Sequence, residues 1–203
     1  MSHYITTAML VFAICLVSCK SEVKPTNAET NVGPKQELDS SGNPVRMANP
    51  WLNSPCDVIT DQEFYAVFGI EEKRDLANRD VLPGKAFCLR RWKKPDWRER
   101  EIAQEKNPNI ATNPESALVV EVLNYGTLAV ASAQYDMHKK DHINGYSEEF
   151  TDLGEGAIWS PSLGMLMVKK GHLCLQLKLD HADNPADNLP KIKELAAIAL
   201  KKM

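Results

Sequence analysis

The stretch His172–Leu179, HLCLQLKL, decides the fold, because leucines occupy every second position. This alternation predicts a strand with an apolar leucine face and a second face. The second face carries His172, Cys174, Gln176 and Lys178. Two stretches before it, 155–160 (EGAIWS) and 165–169 (MLMVK), also read as strands, and turn residues separate all three. The pattern predicts a three-stranded antiparallel meander.

Further strands and helices lie upstream and downstream of this meander. Two stretches have the composition of strands and two have the apolar side of a helix: strands at 85–92 and 117–124, helices at 127–140 and 189–202. Thr60 and Glu63 form a capping box for a first helix, which Gly69 ends. This order predicts an α+β domain, an antiparallel sheet of about five strands with helices packed on it.

Composition and charge narrow the possible partners. The chain has 203 residues, 25% of them charged, and a formal net charge of −3. Nucleic-acid-binding domains are generally basic, so we expect no nucleic-acid partner. Beyond the first 18 residues, no apolar stretch approaches the roughly 20 residues that span a bilayer. We therefore expect no transmembrane helix after the N-terminal segment.

The N-terminal segment has the pattern of an export signal. Residues 8–17 (AMLVFAICLV) form an apolar run of the length typical of a signal-peptide core. The run leads into Leu16-Val17-Ser18-Cys19, which resembles the lipobox of bacterial lipoproteins. The resemblance implies cleavage after Ser18 and attachment of lipid to Cys19, so that acyl chains hold the protein on a membrane. The alternative is a secretory signal cleaved near Ser18, which leaves Cys19 as a free thiol.

The segment after Cys19 reads as a tether. Residues 20–49 are rich in Pro, Asn, Ser, Gly and charge and contain almost no large apolar residue. Such a segment buries too little surface to offset its ordering entropy. We predict a signal peptide over 1–18, a lipidated flexible tether over 19–50 and a single α+β domain over 51–203. By resemblance to sorting rules in Gram-negative bacteria, Lys20 after the anchor favours the outer membrane, if the organism has one.

Three short motifs together span most of the predicted domain. They are PC-x-hydrophobic-hydrophobic-Thr at 55–60, a cysteine and a tryptophan at Cys88 and Trp92, and LGEGAIW at 153–159. Together they resemble a family of bacterial lipoproteins of unknown function with a PsbP-like α/β/α fold. The resemblance implies a tethered location and a binding or accessory role, and it implies no catalytic residues.

The resemblance also pairs Cys56 with Cys88 in a disulfide. An exported domain lies in an oxidising compartment, where disulfides persist. In the chain-entropy model, closing a loop of this length stabilises a protein by about 3–4 kcal/mol. A metal site at these cysteines would need neighbours in a Cys-x-x-Cys pattern, which the sequence lacks. Cys174 is then left over, and we expect it to lie under a helix.

His138 and His142 have the one ligand-like spacing in the chain. On a helix they would face the same way and could share Zn²⁺ or Cu²⁺. There is no HExxH glutamate, however, and Lys139 and Lys140 between the histidines disfavour a nearby cation. We expect instead a solvated helix end with cationic side chains near its C-terminus, and no bound metal or cofactor.

Six basic residues surround Trp92 and Trp97: Arg90, Arg91, Lys93, Lys94, Arg98 and Arg100. They could form a patch for anionic headgroups, peptidoglycan or an acidic partner. The alternative is an exposed loop after a strand, whose charge nearby glutamates offset. We favour the loop.

These features predict a lipid-anchored domain of the cell envelope without catalytic activity. It would bind a protein, an envelope polymer or a small ligand on one face of its sheet. Gly154-Glu155-Gly156 lacks the spacing of a phosphate loop, and no Ser-His-Asp arrangement can be identified, so we predict no catalytic residues. The alternative function is an envelope hydrolase or metal-dependent enzyme that uses His138 and His142.

Overall fold

The computed structural model describes residues 38–70, 86–110, 112–140 and 145–203, and the backbone of 76–81. The predicted signal peptide, Cys19 and His142 lie outside these ranges. Among the described residues, no helix is long and apolar enough to cross a membrane.

The described chain forms one antiparallel sheet with helices packed on it. Its strands are β1 (Leu76–Val81), β2 (Phe87–Lys93), β3 (Glu115–Asn124), β4 (Glu148–Phe150), β5 (Gly156–Ser160), β6 (Met165–Lys170) and β7 (Leu173–Asp180), and its helices are α1 (Asp61–Phe68), α2 (Trp97–Lys106), α3 (Leu128–Lys139) and α4 (Leu189–Leu200). The strand order is β1-β2-β3-β7-β6-β5-β4. The α+β class is confirmed, and the described sheet has seven strands where about five were predicted.

The main core lies on one face of the sheet, beneath α1 and α4. The leucine face of β7 is almost completely buried, as its alternation predicted. It packs with the apolar side chains of β3 and with Phe64 of α1 and Ile192 and Leu195 of α4. The central meander β5-β6-β7 is confirmed by its pairing.

The opposite face is covered in part by α3. Tyr135 of α3 packs against Met167, Ile158 and Cys174, so helices lie on both faces of the sheet. Cys174 is fully buried and is the free cysteine of the described residues, so its predicted place beneath a helix is confirmed. On this face, the side chains of β2 and β3 are only partly buried, and Lys93 is exposed.

A disulfide joins Cys56 to Cys88, with a Cα–Cα distance of 5.2 Å and a separation of 32 residues. The predicted pairing is therefore confirmed. The bond fastens the short 3-10 turn Pro55–Asp57 to β2. The same turn leads into α1, whose capping box also forms: Thr60 Oγ1 accepts from the Glu63 backbone N–H at 3.3 Å, and Glu63 accepts from the Thr60 N–H at 2.8 Å.

The basic segment 90–100 is not the exposed loop that we favoured. Strand β2 continues to Lys93, and α2 begins at Trp97. Arg90 and Lys94 are buried, with exposed fractions of 0% and 3%, because both continue the inward phase of the strand. The prediction was wrong because a run of basic residues looks like a solvated surface even where every second one points inward.

The N-terminal end of the described chain hydrogen-bonds to the domain. The Met47 N–H donates to the carbonyl of Gly126 at 2.8 Å. Asn49 Nδ2 donates to the carbonyl of Val122 at 3.0 Å. These bonds fix the chain to the C-terminal end of β3. The bounds of the tether stay a prediction, because residues 1–37 lie outside the described ranges.

Candidate functional site

Two clefts open at one end of the sheet, where β2 and β7 end and β3 and β6 begin. The larger one encloses about 570 Å³. We call it the sheet-end cleft and define it by five of its lining residues: Lys94, Arg100, Asn113, Asp180 and Asp183. Its walls come from the segment after β2, from α2, from the α2–β3 connection and from the end of β7. Charged and amide side chains therefore meet there from distant parts of the chain.

Lys94 lies in the floor of the sheet-end cleft. Its side chain is 4% exposed, and its Nζ lies 3.5 Å from Asp183 Oδ1 and 3.8 Å from Asp180 Oδ1. Charge-assisted N–H···O bonds are usually about 2.7–2.9 Å long. An ammonium has three N–H donors, and a buried one needs close acceptors. The two carboxylates therefore neutralise the Lys94 charge, but among the described residues they give the ammonium only one long hydrogen bond, to Asp183.

Arg100 of α2 fixes one wall of the cleft. Its Nη1 and Nη2 donate to the two carboxylate oxygens of Asp183 at 2.8 and 3.0 Å, and its Nε donates to Asp96 at 2.8 Å. The Arg100 guanidinium holds the pKa of Asp183 below its ordinary value, chiefly through these hydrogen bonds. Asp183 therefore stays ionised, and each of the three nitrogens of the Arg100 guanidinium donates one hydrogen bond to a carboxylate. The pair ties α2, which buries no residue of its own, to the segment after β7.

Asp180 and Asp183 form the rim above Lys94. Their side chains are 51% and 70% exposed, so both carboxylates face solvent while the ammonium beneath them does not. Asn113 Nδ2 donates to Asp180 Oδ2 at 3.1 Å and orients that carboxylate. The buried Asn188 donates to the carbonyl of Leu179 at 2.9 Å and so holds the end of β7 in place.

The second cleft encloses about 360 Å³ and shares Lys94 with the first. We call it the aromatic cleft, because four ring side chains line it: Phe68, Trp92, Trp97 and His181. The rings of His181 and Trp92 stack with centroids 5.7 Å apart. The Trp97 ring lies 5.0 Å from Lys93 Nζ.

His181, which lines the aromatic cleft, pairs with a buried serine. Its Nδ1 lies 2.9 Å from Ser116 Oγ. Burial lowers the pKa of His181, and the positive charges of Lys191 and Lys94 lower it further. The imidazole is therefore neutral at neutral pH. Ser116 has no exposed surface, so its hydroxyl is out of reach of a substrate, and the pair orients His181 instead of forming a nucleophile.

The predicted metal ligands are His138 and His142, and His138, the one within the described ranges, lines neither cleft. His138 lies in the last turn of α3, where its ring contacts Tyr146 with centroids 6.3 Å apart. Its Nδ1 is buried and has no hydrogen-bond partner among the described residues. Because His142 lies outside the described ranges, the structure does not test the pair. Within those ranges, no cluster of three or more His, Cys, Asp or Glu could hold a metal ion.

The six basic residues do not share one surface. Arg90 is buried under α1, Lys94 lies in the cleft floor, and Arg100 is occupied by Asp96 and Asp183. Sequence reasoning missed the acidic rim and His181 altogether. One signal could have found Lys94: it keeps the every-second-residue phase of Cys88, Arg90 and Trp92, and it should therefore point inward.

Comparisons of the chain with protein-family models, with curated proteins and with solved structures found no match. The case for a function therefore rests on the residues of the two clefts.

Proposed function

We propose that the chain is a lipid-anchored protein of the cell envelope whose domain binds an envelope ligand in the sheet-end cleft without transforming it. The observation that carries the binding role is the buried Lys94 ammonium, whose carboxylate partners among the described residues lie at 3.5 and 3.8 Å. A ligand oxygen in the cleft would supply an acceptor closer to Lys94 than either of these carboxylates. The anchor part of the proposal is supported by the lipobox-like sequence before Cys19.

The chemistry of the cleft favours binding over catalysis. A general acid must keep a proton near neutral pH, and Arg100 holds Asp183 ionised. A nucleophile needs access to substrate, which the buried Ser116 does not have. The alternative, an envelope hydrolase or metal-dependent enzyme using His138 and His142, gains no support from the described residues, since neither cleft contains His138.

The sheet architecture is compatible with the PsbP-like resemblance. Helices lie on both faces of the sheet, which is the α/β/α arrangement that the resemblance implies. The Cys56–Cys88 disulfide is the pairing that it implies as well. Both features support a binding or accessory role as part of the proposal.

Photo-crosslinking in intact cells tests the binding role. A photoreactive amino acid replaces Lys178, an exposed residue that lines the sheet-end cleft, or Lys140, an exposed residue that follows α3. We expect a discrete adduct at position 178, none at 140, and loss of the adduct when Lys94→Met is added. Equal labelling at the two positions, or no adduct at 178, would show that the cleft is not the binding site.

A second experiment tests the anchor. Cells grown with an alkyne-tagged fatty acid should label the wild-type protein and not the Cys19→Ala variant, and only the wild-type protein should sediment with membranes. Unlabelled wild-type protein would favour the secretory alternative, with Cys19 as a free thiol.

A further inference from the structure

We infer that the sheet-end cleft selects a neutral polyhydroxyl ligand, a sugar unit, over ligands that carry a net charge. This inference rests on the proposed binding function and names the chemical class of its ligand. It follows from the placement of one buried ammonium beneath two carboxylates. The other ammonium that lines the cleft, on Lys178, is exposed, so water and salt screen its charge.

The charges of the cleft disfavour simple ions of either sign. An anion that reached Lys94 Nζ would lie beside Asp180 and Asp183, whose nearest oxygens are within 4 Å of that nitrogen. A cation that reached the two carboxylates would lie beside Lys94, which pairs with both, and beside Arg100, which pairs with Asp183. Like charges at such distances repel, and the repulsion is strongest where water is excluded. An ion of either sign therefore gains a contact with the opposite charge but is repelled by the like charge beside it.

A hydroxyl group avoids this conflict, because it both donates and accepts. One hydroxyl of a sugar can accept from the Lys94 ammonium, while its neighbour donates to Asp180 or Asp183. Both rim carboxylates are at least half exposed, so they keep lone pairs available for a ligand. Asn113 already holds Asp180, so this acceptor is oriented before the ligand arrives.

A zwitterion, such as a free amino acid, also carries both kinds of charge. Its carboxylate would have to lose its water to approach the buried Lys94, and desolvating a carboxylate costs far more than desolvating a hydroxyl. The cleft volume of about 570 Å³ lies within the range of small-molecule sites and suits a sugar unit. Because Lys94 also lines the aromatic cleft, a longer glycan could continue across it.

The test uses the full-length mature protein in a detergent without a sugar headgroup. Isothermal titration compares three disaccharides of similar size: the neutral N-acetylglucosamine disaccharide, its cationic de-N-acetylated form and a disaccharide with a uronic acid. A zwitterionic dipeptide is the fourth probe. We expect the neutral disaccharide to bind at least about tenfold more tightly than each of the other three probes. Each of those probes loses a contact to a charged group of the cleft.

Two variants with matched controls locate the binding. Lys94→Met keeps an unbranched side chain of nearly the same length and removes the ammonium, and Asp180→Asn removes one of the two rim charges. Each should weaken binding of the neutral disaccharide about tenfold or more. The controls, Lys169→Met and Asp152→Asn, remove charges that pair with Glu155 and Lys193 and lie outside both clefts. They should bind as the wild type does.

The inference is overturned if a charged disaccharide or the dipeptide binds as tightly as the neutral one. It is also overturned if folded Lys94→Met and Asp180→Asn proteins both bind normally, or if none of the disaccharides binds. A crosslink at position 178 in cells together with no sugar binding would refute the inference alone. Absence of the crosslink would refute the binding function itself.

Discussion

Arg90 donates twice to one oxygen of Asp61: its Nε and Nη2 lie 3.1 and 3.0 Å from Asp61 Oδ1. The same Nη2 donates to the carbonyls of Cys56 at 3.0 Å and Ile59 at 2.7 Å. Arg90 lies in β2 and Asp61 opens α1, so one fully buried guanidinium joins the sheet to the turn and helix beside the disulfide.

Replacing Arg90 should therefore destabilise the domain strongly. Arg90→Met leaves the carbonyls of Cys56 and Ile59 and the Asp61 carboxylate without this donor. A buried acceptor left without its donor costs about 1–3 kcal/mol, and Arg90 serves two buried carbonyls besides the partly exposed Asp61, so the free energy of unfolding should fall by about 3 kcal/mol. Arg91→Met, on the half-buried opposite face of the same strand, is the control and should cost less than about 1 kcal/mol. Urea denaturation measures both, and equal losses would contradict the structural role of Arg90.

The mature protein should show one reactive thiol when it is denatured without reductant. Cys56 and Cys88 are bonded, and Cys174 is free. In the native protein, burial raises the pKa of Cys174 to about 11, so its reaction with a thiol reagent should be very slow. Reduction of the denatured protein should expose three thiols. A second thiol before reduction would mean that Cys19 carries no lipid.

The stability should fall as the pH drops through the mildly acidic range, because of His181. Its folded-state pKa lies below the ordinary value of 6.5, so the unfolded chain binds the proton more readily. The contribution of His181 to the free energy of unfolding is therefore fully present above about pH 6.5 and is lost as the pH falls below that value. His181→Gln should flatten this decrease between about pH 7.5 and about pH 5.5, before the carboxylates titrate. Denaturant curves across this range measure it, and a variant with the wild-type slope would contradict the assignment.

Two glycines with the same backbone conformation should respond differently to alanine. Gly69 and Gly154 have φ values of +64° and +60°. A Cβ at Gly69 meets nothing within 4 Å, whereas at Gly154 it lies 2.5 Å from the carbonyl oxygen of Lys169. Gly69→Ala should cost about 1–2 kcal/mol for the left-handed conformation alone. Gly154→Ala should cost clearly more, because backbone must also move. Equal shifts in thermal unfolding would contradict this.

The sequence predicted best those elements whose side chains sort into two faces. The predicted strands at 165–169 and 172–179 correspond to Met165–Lys170 and Leu173–Asp180. Helix α2 was not predicted, because it is charged on all sides and buries no residue. Its apolar periodicity is absent, and ion pairs of Arg100 connect it to its surroundings. Strands β1 and β4 were also missed, since both lie at sheet edges and neither has an alternating apolar pattern.

The sheet-end cleft could not be read from the sequence for a topological reason. Lys94 follows β2 and Asp180 ends β7, two strands far apart in the chain. They approach each other because β3 pairs with both strands. Alternation shows which way a side chain points along its own strand, but it does not show which strands become neighbours. The disulfide, in contrast, could be predicted, because two of the short motifs that carry the family resemblance contain its two cysteines.

Met47 and Asn49 join the domain at the end of the sheet opposite the sheet-end cleft. Met47 and Asn49 are bonded near the C-terminal end of β3, while the sheet-end cleft opens beside the N-terminal end of that strand. Ten residues of extended chain separate the two ends, about 30 Å. The described chain therefore enters the domain about one strand length away from the cleft, and neither Met47 nor Asn49 lines it.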